Sequence, residues 1–315
     1  MTHPVAGRDY PQTWSQFVER FSNDDACARY LAHLRWREGF HCPACSSEDK
    51  PYHGSRNRLL CRSCRRQVTL TAGTIFAGTR TPLTMWFAAI WYVTNQKHGV
   101  SALGLQRVLG VGSYQTAWTM LHKLRRAMVR PGRDSLAGNI EVDEIYIGGE
   151  EPGKHGRHTD KKAIVVVAIE IIKPKGFGRL RLRQVPNVAG ESLVPFICDV
   201  VKPGSAVMTD GWGGYNTVAE KGYQHERTVL SSSGDPAHVA MPGVHRIAAL
   251  LKRWLLGTHQ GAVSMEHLDY YLDEYTFRFN RRTSRSRGLL FYRLLEQAVA
   301  TEPAPYRFMV GGKAL

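Results

Sequence analysis

Two aspartates and one histidine are candidate ligands of a metal-dependent phosphoryl-transfer site. Asp143 lies in Asn139-Ile-Glu-Val-Asp-Glu-Ile-Tyr-Ile-Gly149, which alternates like a strand. Strand side chains switch faces at every residue, so Asp143 shares a face with Ile145 and Ile147. An unpaired carboxylate is costly there, and a bound cation would remove the cost. Asp210 closes Ser205-Ala-Val-Met-Thr-Asp210, a short buried strand that runs into Gly211-Trp-Gly-Gly-Tyr215. If these strands are neighbours, both carboxylates can bind one hard cation such as magnesium, which takes oxygen ligands. A pair of such ions activates a nucleophile and stabilises the leaving oxygen of a phosphoryl transfer. Asp210 alone also reads as a turn residue before glycine.

The third group is carried by a helix expected from about Val244 to Leu256. Ile247, Leu250, Leu251 and Trp254 fall on one face. His245, Ala249 and Lys252 fall on the opposite stripe. His245 is the candidate metal ligand through an imidazole nitrogen, and Lys252 a candidate phosphate contact. A plain solvated stripe on an amphipathic helix is the alternative. Glu226 and Asp235 are rival third ligands, both between the Asp210 strand and this helix.

A second kind of metal chemistry stands earlier in the chain. Cys42-Pro-Ala-Cys45 and Cys61-Arg-Ser-Cys64 are two CxxC knuckles at the separation of a four-thiolate zinc site. Such a site is closed, so its zinc is structural; a redox dithiol pair is the alternative. Arg56, Arg58, Arg62, Arg65 and Arg66 surround the second knuckle and are candidate phosphate contacts. Cys27 and Cys198 stand alone.

Several elements must position these groups. A helical stretch runs from Trp14 to Trp36 with a break at Asp24 and Asp25. After the knuckles, Pro82–Asn95, Ser101–Leu109 and Ser113–Val129 read as helices. The last two flank Gly110-Val-Gly112, a helix-turn-helix outline that a plain helical hairpin shares. Gln115, Thr116, Lys123, Arg125 and Arg126 lie on its second helix, the expected groove reader. Pro131-Gly132 marks a linker, after which strands replace helices. The expected domains are 1–80 (helix and ribbon), 81–137 (helical DNA-binding module), 138–300 (α/β catalytic domain) and a loose tail at 301–315.

Bulk composition agrees with a nucleic-acid partner. The net charge is +15, and residues 1–137 hold 19 Lys/Arg against 8 Asp/Glu. A basic front half of this kind points to a polyanion. No apolar run is long enough for a membrane span and the first residues lack a secretory pattern, so a cytoplasmic, nucleoid-associated protein is expected.

Taken together, Cys42-Pro-Ala-Cys45, Leu70-Thr-Ala-Gly-Thr-Ile-Phe76, Val142-Asp143-Glu144, Thr209-Asp210-Gly211, Leu251-Lys252-Arg253 and Phe277-Arg-Phe-Asn-Arg-Arg282 resemble insertion-sequence transposases that begin with a zinc ribbon. The resemblance covers about Trp14 to Arg293. It implies an RNase H-like mixed sheet flanked by helices, catalytic Asp143, Asp210, His245 and Lys252, and two catalytic Mg2+ or Mn2+ ions beside one structural Zn2+. It further implies cutting at element ends, joining to target DNA, and a homo-oligomer on the terminal repeats. Arg253, Arg278, Arg281 and Arg282 become further candidate DNA contacts. The family pattern has Glu, Asn or His at the place of His245. A DNA-binding regulator with a decayed site, and an RNase H-type nuclease, are the other readings.

Overall fold

The computed structural model describes residues 3–54, 58–130, 132–149, 151, 159, 161–174, 176–228 and 240–311. The chain divides into two compact units, Met1–Arg130 with Ser284–Leu315, and Pro131–Thr283.

The first unit opens with α1 (Trp14–Arg20) and α2 (Asp24–Arg35). The expected break is here, and it is a capping event. Asn23 leaves helical geometry and its side chain accepts from the Ala26 N–H, while Asp24 and Asp25 occupy the positive end of α2. Three short antiparallel strands follow: β1 (Tyr52–His53), β2 (Arg58–Leu60) and β3 (Gln67–Thr69). Their buried core is small: Phe40, Cys42, Leu59, Cys61 and Val68, with Trp36 against it. Next come α3 (Leu83–Asn95), α4 (Ala102–Leu109) and α5 (Tyr114–Ala127). Gly110 ends α4 at φ 65°, a backbone shape that costs glycine nothing, and Ser113 caps α5.

The second unit is a five-stranded sheet with helices. β4 (Asn139–Ile147), β5 (Ala163–Ile171) and β6 (Phe177–Val185) pair antiparallel. α6 (Gly190–Val200) leads to β7 (Ala206–Asp210), and β8 (Gln224–Thr228) follows. The strand order is β6-β5-β4-β7-β8, with β7 parallel to both β4 and β8. The alternation of β4 and β5 feeds two cores. Ile140, Val142, Val166 and Ala168 pack towards Phe196 and Ile197 of α6. Ile145, Val165, Val167 and Ile169 face α7 (Pro242–His259) and α8 (Leu268–Asn280).

The chain then returns to the first unit. α9 (Arg287–Ala300) packs on α2, α3 and α5, and α10 (Tyr306–Val310) on α5. Phe291 is fully buried among Phe17, Phe21, Phe87 and Trp91, with ring centroids 5.5, 5.6, 5.9 and 5.7 Å away. The expected partition therefore needs correction. Residues 284–300 belong with the N-terminal elements, because their apolar face completes that core. The tail expected to be loose carries α10, with Ala304 and Met309 buried.

Candidate functional site

The pairing of β4 with β7 decides where the two aspartates stand. Asn139, Ile140 and Glu141 lie opposite Ala206, Val207 and Met208 in parallel register. The pairing ends there, and Asp143 and Asp210 each lie two residues beyond its last pair, on the face that Glu141 and Met208 share. Both aspartates are half-buried. Asp143 Oδ1 accepts from the Glu144 N–H at 2.8 Å, and Asp210 Oδ1 accepts from the Trp212 N–H at 3.0 Å.

Behind them, on the other face, Tyr215 is fully buried and its hydroxyl donates to Glu144 Oε2 at 3.0 Å. Burial pushes its phenol well above the ordinary range; the charges of Glu144, Asp143 and Asp210 push the same way. Asp143 and Asp210 supply oxygen donors of the kind a hard cation takes. Among the described residues, the one group of three or more His, Cys, Asp or Glu donors that converges is the set of Cys42, Cys45, Cys61 and Cys64. Tyr215→Phe should cost about 1.5 kcal/mol, the value of a hydrogen bond to a charged acceptor. Urea unfolding checks this, and an unchanged midpoint would remove the tyrosine from the scaffold.

α7 lies over the face that carries Asp143. Its first residue is Pro242, and Met241 before it supplies no capping side chain. The cap comes from the sheet instead: the Glu141 carboxylate accepts from the Val244 N–H at 3.0 Å. A Cβ on Gly243 would stand 2.7 Å from Glu141 Oε2 and 2.7 Å from Ile171 Cδ1, so only glycine allows this approach. Val244, Ile247, Leu251 and Leu255 are buried against the sheet. His245 follows Val244 and is half-buried; Lys252 follows Leu251, two turns on, and is exposed, as is Arg253. His245 and Lys252 therefore lie on one flank of α7. Glu226 is exposed on edge strand β8, opposite Met208 and not Asp210. Asp235 lies outside the described residues.

The four cysteines converge. Their sulfurs all lie within 4.8 Å of one another, with Cys42–Cys64 and Cys45–Cys61 at 3.7 Å. Tetrahedral zinc with bonds of about 2.3 Å sets sulfurs roughly 3.8 Å apart, so the set fits one structural zinc. The knuckles are built alike. Ser46 and Arg65 each take φ 59°, and their N–H groups bond back to Cys42 O (2.9 Å) and Cys61 O (3.1 Å). The N–H of Cys64, then that of Ser63, draws the Cys61 thiol down to about 6. That favours the thiolate that metal requires.

The candidate DNA contacts fare differently. Arg58, Arg62, Arg65 and Arg66 are exposed, with Arg62 and Arg65 stacked over Tyr52 at 4.6 and 5.9 Å. Arg56 lies outside the described residues. On α5 the expected groove readers are corrected: Lys123 and Arg125 are buried and Arg126 is half-buried, because that part of the helix packs inside the unit. The exposed end of α5 is its start, with Tyr114 and Gln115. Arg278 pairs with the buried carboxylate of Glu274 at 2.7 Å. Arg281 covers Phe277, and Arg282 covers Phe279 while donating to the carbonyls of Phe177, Gly178 and Phe279. Arg282 thus ties α8 to β6 while remaining exposed. Sequence reasoning missed Glu141. Its signals were a shared face with Asp143 and a helix start without a capping residue.

Residues 135–280 match the ISXO2-like transposase domain, and residues 22–67 the transposase zinc-ribbon domain. An uncharacterised protein of transposable element ISH50 from Halobacterium salinarum is 27% identical over 292 residues, covering 86% of this chain and 95% of that protein. An uncharacterised transposase-like protein from Haemophilus influenzae is 30% identical over 112 residues, covering 36% of this chain and 89% of its own length. Among the described residues no helix is long and apolar enough to cross a membrane. With both domains matched in order, the chain belongs to the ISXO2-like transposases that carry an N-terminal zinc ribbon.

Proposed function

We propose that this chain is an active DNA transposase that cuts insertion-sequence ends and joins the freed 3′-hydroxyl to target DNA. The observation that carries the reading is that Asp143 and Asp210 each stand two residues past the last pair of the parallel strands β4 and β7, on the sheet face against which the helix bearing His245 packs. The strand order, with three antiparallel strands and then two parallel ones, agrees with an RNase H-like catalytic unit.

Asp143, Asp210 and His245 would hold two divalent ions, Mg2+ or Mn2+. When bound, these supply Lewis-acid activation and charge stabilisation to phosphoryl transfer. The chain's own part is positioning, which dominates such reactions. Asp143 and Asp210 would hold the ions that attract the reacting phosphate to this face of the sheet. Lys252, exposed on the flank that carries His245, orients a neighbouring phosphate. Water first breaks the P–O bond at the element end and leaves a 3′-hydroxyl. That hydroxyl then attacks a target phosphorus; one P–O bond forms and one breaks, and the target's 3′-oxygen leaves.

Recognition of the terminal repeats falls to the first unit. Arg58, Arg62, Arg65 and Arg66 of the ribbon contact phosphates. The exposed start of α5 enters a groove, the part of a recognition helix that reads bases. Arg253 adds a contact beside the site. The working form is a homo-oligomer that brings two ends together, in the cytoplasm on the nucleoid.

The test is a strand-transfer assay with the full chain, Mn2+ and a labelled duplex carrying the terminal repeat of its own element. Joined products support the reading. Repeat-specific binding without cutting would replace it with a DNA-binding regulator. Degradation of an RNA–DNA hybrid without joining would replace it with a nuclease.

His245 brings a softer, uncharged ligand where Glu would bring a carboxylate. His245→Glu should therefore shift activity towards Mg2+, raising the Mg2+/Mn2+ rate ratio by about tenfold, the order expected for a changed ligand environment. Rates in each metal alone check this, and an unchanged ratio would take His245 out of the ligand set.

A further inference from the structure

We propose that Glu141 is a positioning residue of the catalytic centre: its carboxylate holds the first turn of α7 onto β4 and so sets where His245 stands relative to Asp143. The inference rests on the transposase reading and assigns a job to a residue that the reading does not use.

Glu141 is 3% exposed on the face of β4 that carries Asp143. A buried carboxylate is costly unless it is satisfied. Among the described residues its partners are main-chain donors, the N–H groups of Val244 and Gly243. A helix start is normally satisfied by its own preceding Ser, Thr, Asp or Asn. Here that place is held by Met241, at φ −130° and ψ 67°, without a side-chain bond. A local cap would satisfy α7 just as well. A cap from β4 does something more: it fixes the helix to the strand of the first aspartate.

The arithmetic of the chain makes the link short. Glu141 precedes Asp143 by one face repeat, about 7 Å along the strand. Its partner Val244 immediately precedes His245. The hydrogen bonds of Glu141 therefore join the two elements one face repeat before Asp143 and immediately before His245. Gly243 is fitted to the same contact, since its missing Cβ leaves room for Glu141 Oε2, Ile171 Cδ1 and, at 3.0 Å, Ile169 Cγ2. The helix backbone can thus approach the sheet more closely than any side chain at 243 would permit.

Three full-length variants test the proposal: Glu141→Ala, which removes the acceptor, Glu141→Gln, which keeps an acceptor oxygen without the charge, and Gly243→Ala, which keeps every carboxyl group in the sequence but sets a methyl against the Glu141 carboxylate. Two readouts are taken without DNA. One is Mn2+ affinity by electron paramagnetic resonance titration, with Asp143→Asn marking the site. The other is amide hydrogen exchange at Val244 and His245. Glu141→Ala and Gly243→Ala should weaken Mn2+ binding about tenfold or more, as loss of an outer-shell partner does, and speed exchange at Val244. Glu141→Gln should stay within about threefold of wild type.

Wild-type Mn2+ affinity in Glu141→Ala, or in Gly243→Ala if the first variant does not fold, would overturn the proposal. So would a Glu141→Gln variant as weak as Glu141→Ala, since the charge and not the tie would then matter. A wild-type chain that binds no Mn2+ at the Asp143 site would overturn the transposase chemistry itself, and this inference with it.

Discussion

Asp143→Asn is expected to lower strand joining by on the order of a thousandfold, about 4 kcal/mol of transition-state stabilisation. The same change should leave the melting temperature, without added Mg2+ or Mn2+, within about 2–4 °C of wild type, a span of about 1 kcal/mol in a chain of this size. Asparagine keeps the shape of the side chain and the acceptor for the Glu144 N–H while removing the charge that a hard cation takes. Thermal unfolding with the structural zinc in place and a joining assay in Mn2+ should therefore separate the scaffold from the chemistry. A variant that loses joining and also melts well below wild type would make Asp143 a structural residue and sink the assignment.

The second large effect belongs to the ribbon. Cys61→Ser should release its zinc, unfold the segment from about His41 to Thr69, and abolish binding to the terminal repeat. Among the described residues the ribbon's hydrophobic cluster is Phe40, Leu59 and Val68 besides two of the cysteines, with Trp36 at the edge. That is too little apolar area to hold three strands of two or three residues each. Structural zinc supplies about 10–16 kcal/mol to such a module, so metal binding and folding are one event. Zinc analysis should fall from one ion per chain to none, and trypsin should cut at Arg58, Arg62, Arg65 and Arg66. Mn2+ binding at the Asp143 site should persist. A Cys61→Ser chain that keeps its zinc and resists trypsin would contradict this account.

What could be read in the sequence was what is settled locally. Cysteine spacing names its own partners, because four thiolates at two knuckles have one common geometry. The alternation in β4 names a face for each of its residues. Ser113 announces the start of α5. What could not be read was what depends on distant partners. The apolar face of α9 states that it must be covered, but not that α2 and α3 cover it. Lys123 and Arg125 look like solvent-facing cations, yet long aliphatic stems let such residues lie within a helical core. Burial lowers the Lys123 pKa, a sign of the environment that composition does not reveal. Glu141 resembled an ordinary strand charge until the position of Val244 gave it a partner. Nor did the sequence show the three carbonyls that Arg282 engages.

The insertion of one unit within the other has a consequence for synthesis. The core around Phe291 draws on residues from both ends of the chain, so it cannot close on a ribosome that has made only the first half. The second unit, contiguous from Pro131 to Thr283, emerges before the segment that completes the first. The order of assembly therefore reverses the order of the genes' text: the part that would do the chemistry can fold before the part that would recognise the ends. A chain cut short before Arg287 would lack α9, and could not compete with finished copies for the same DNA.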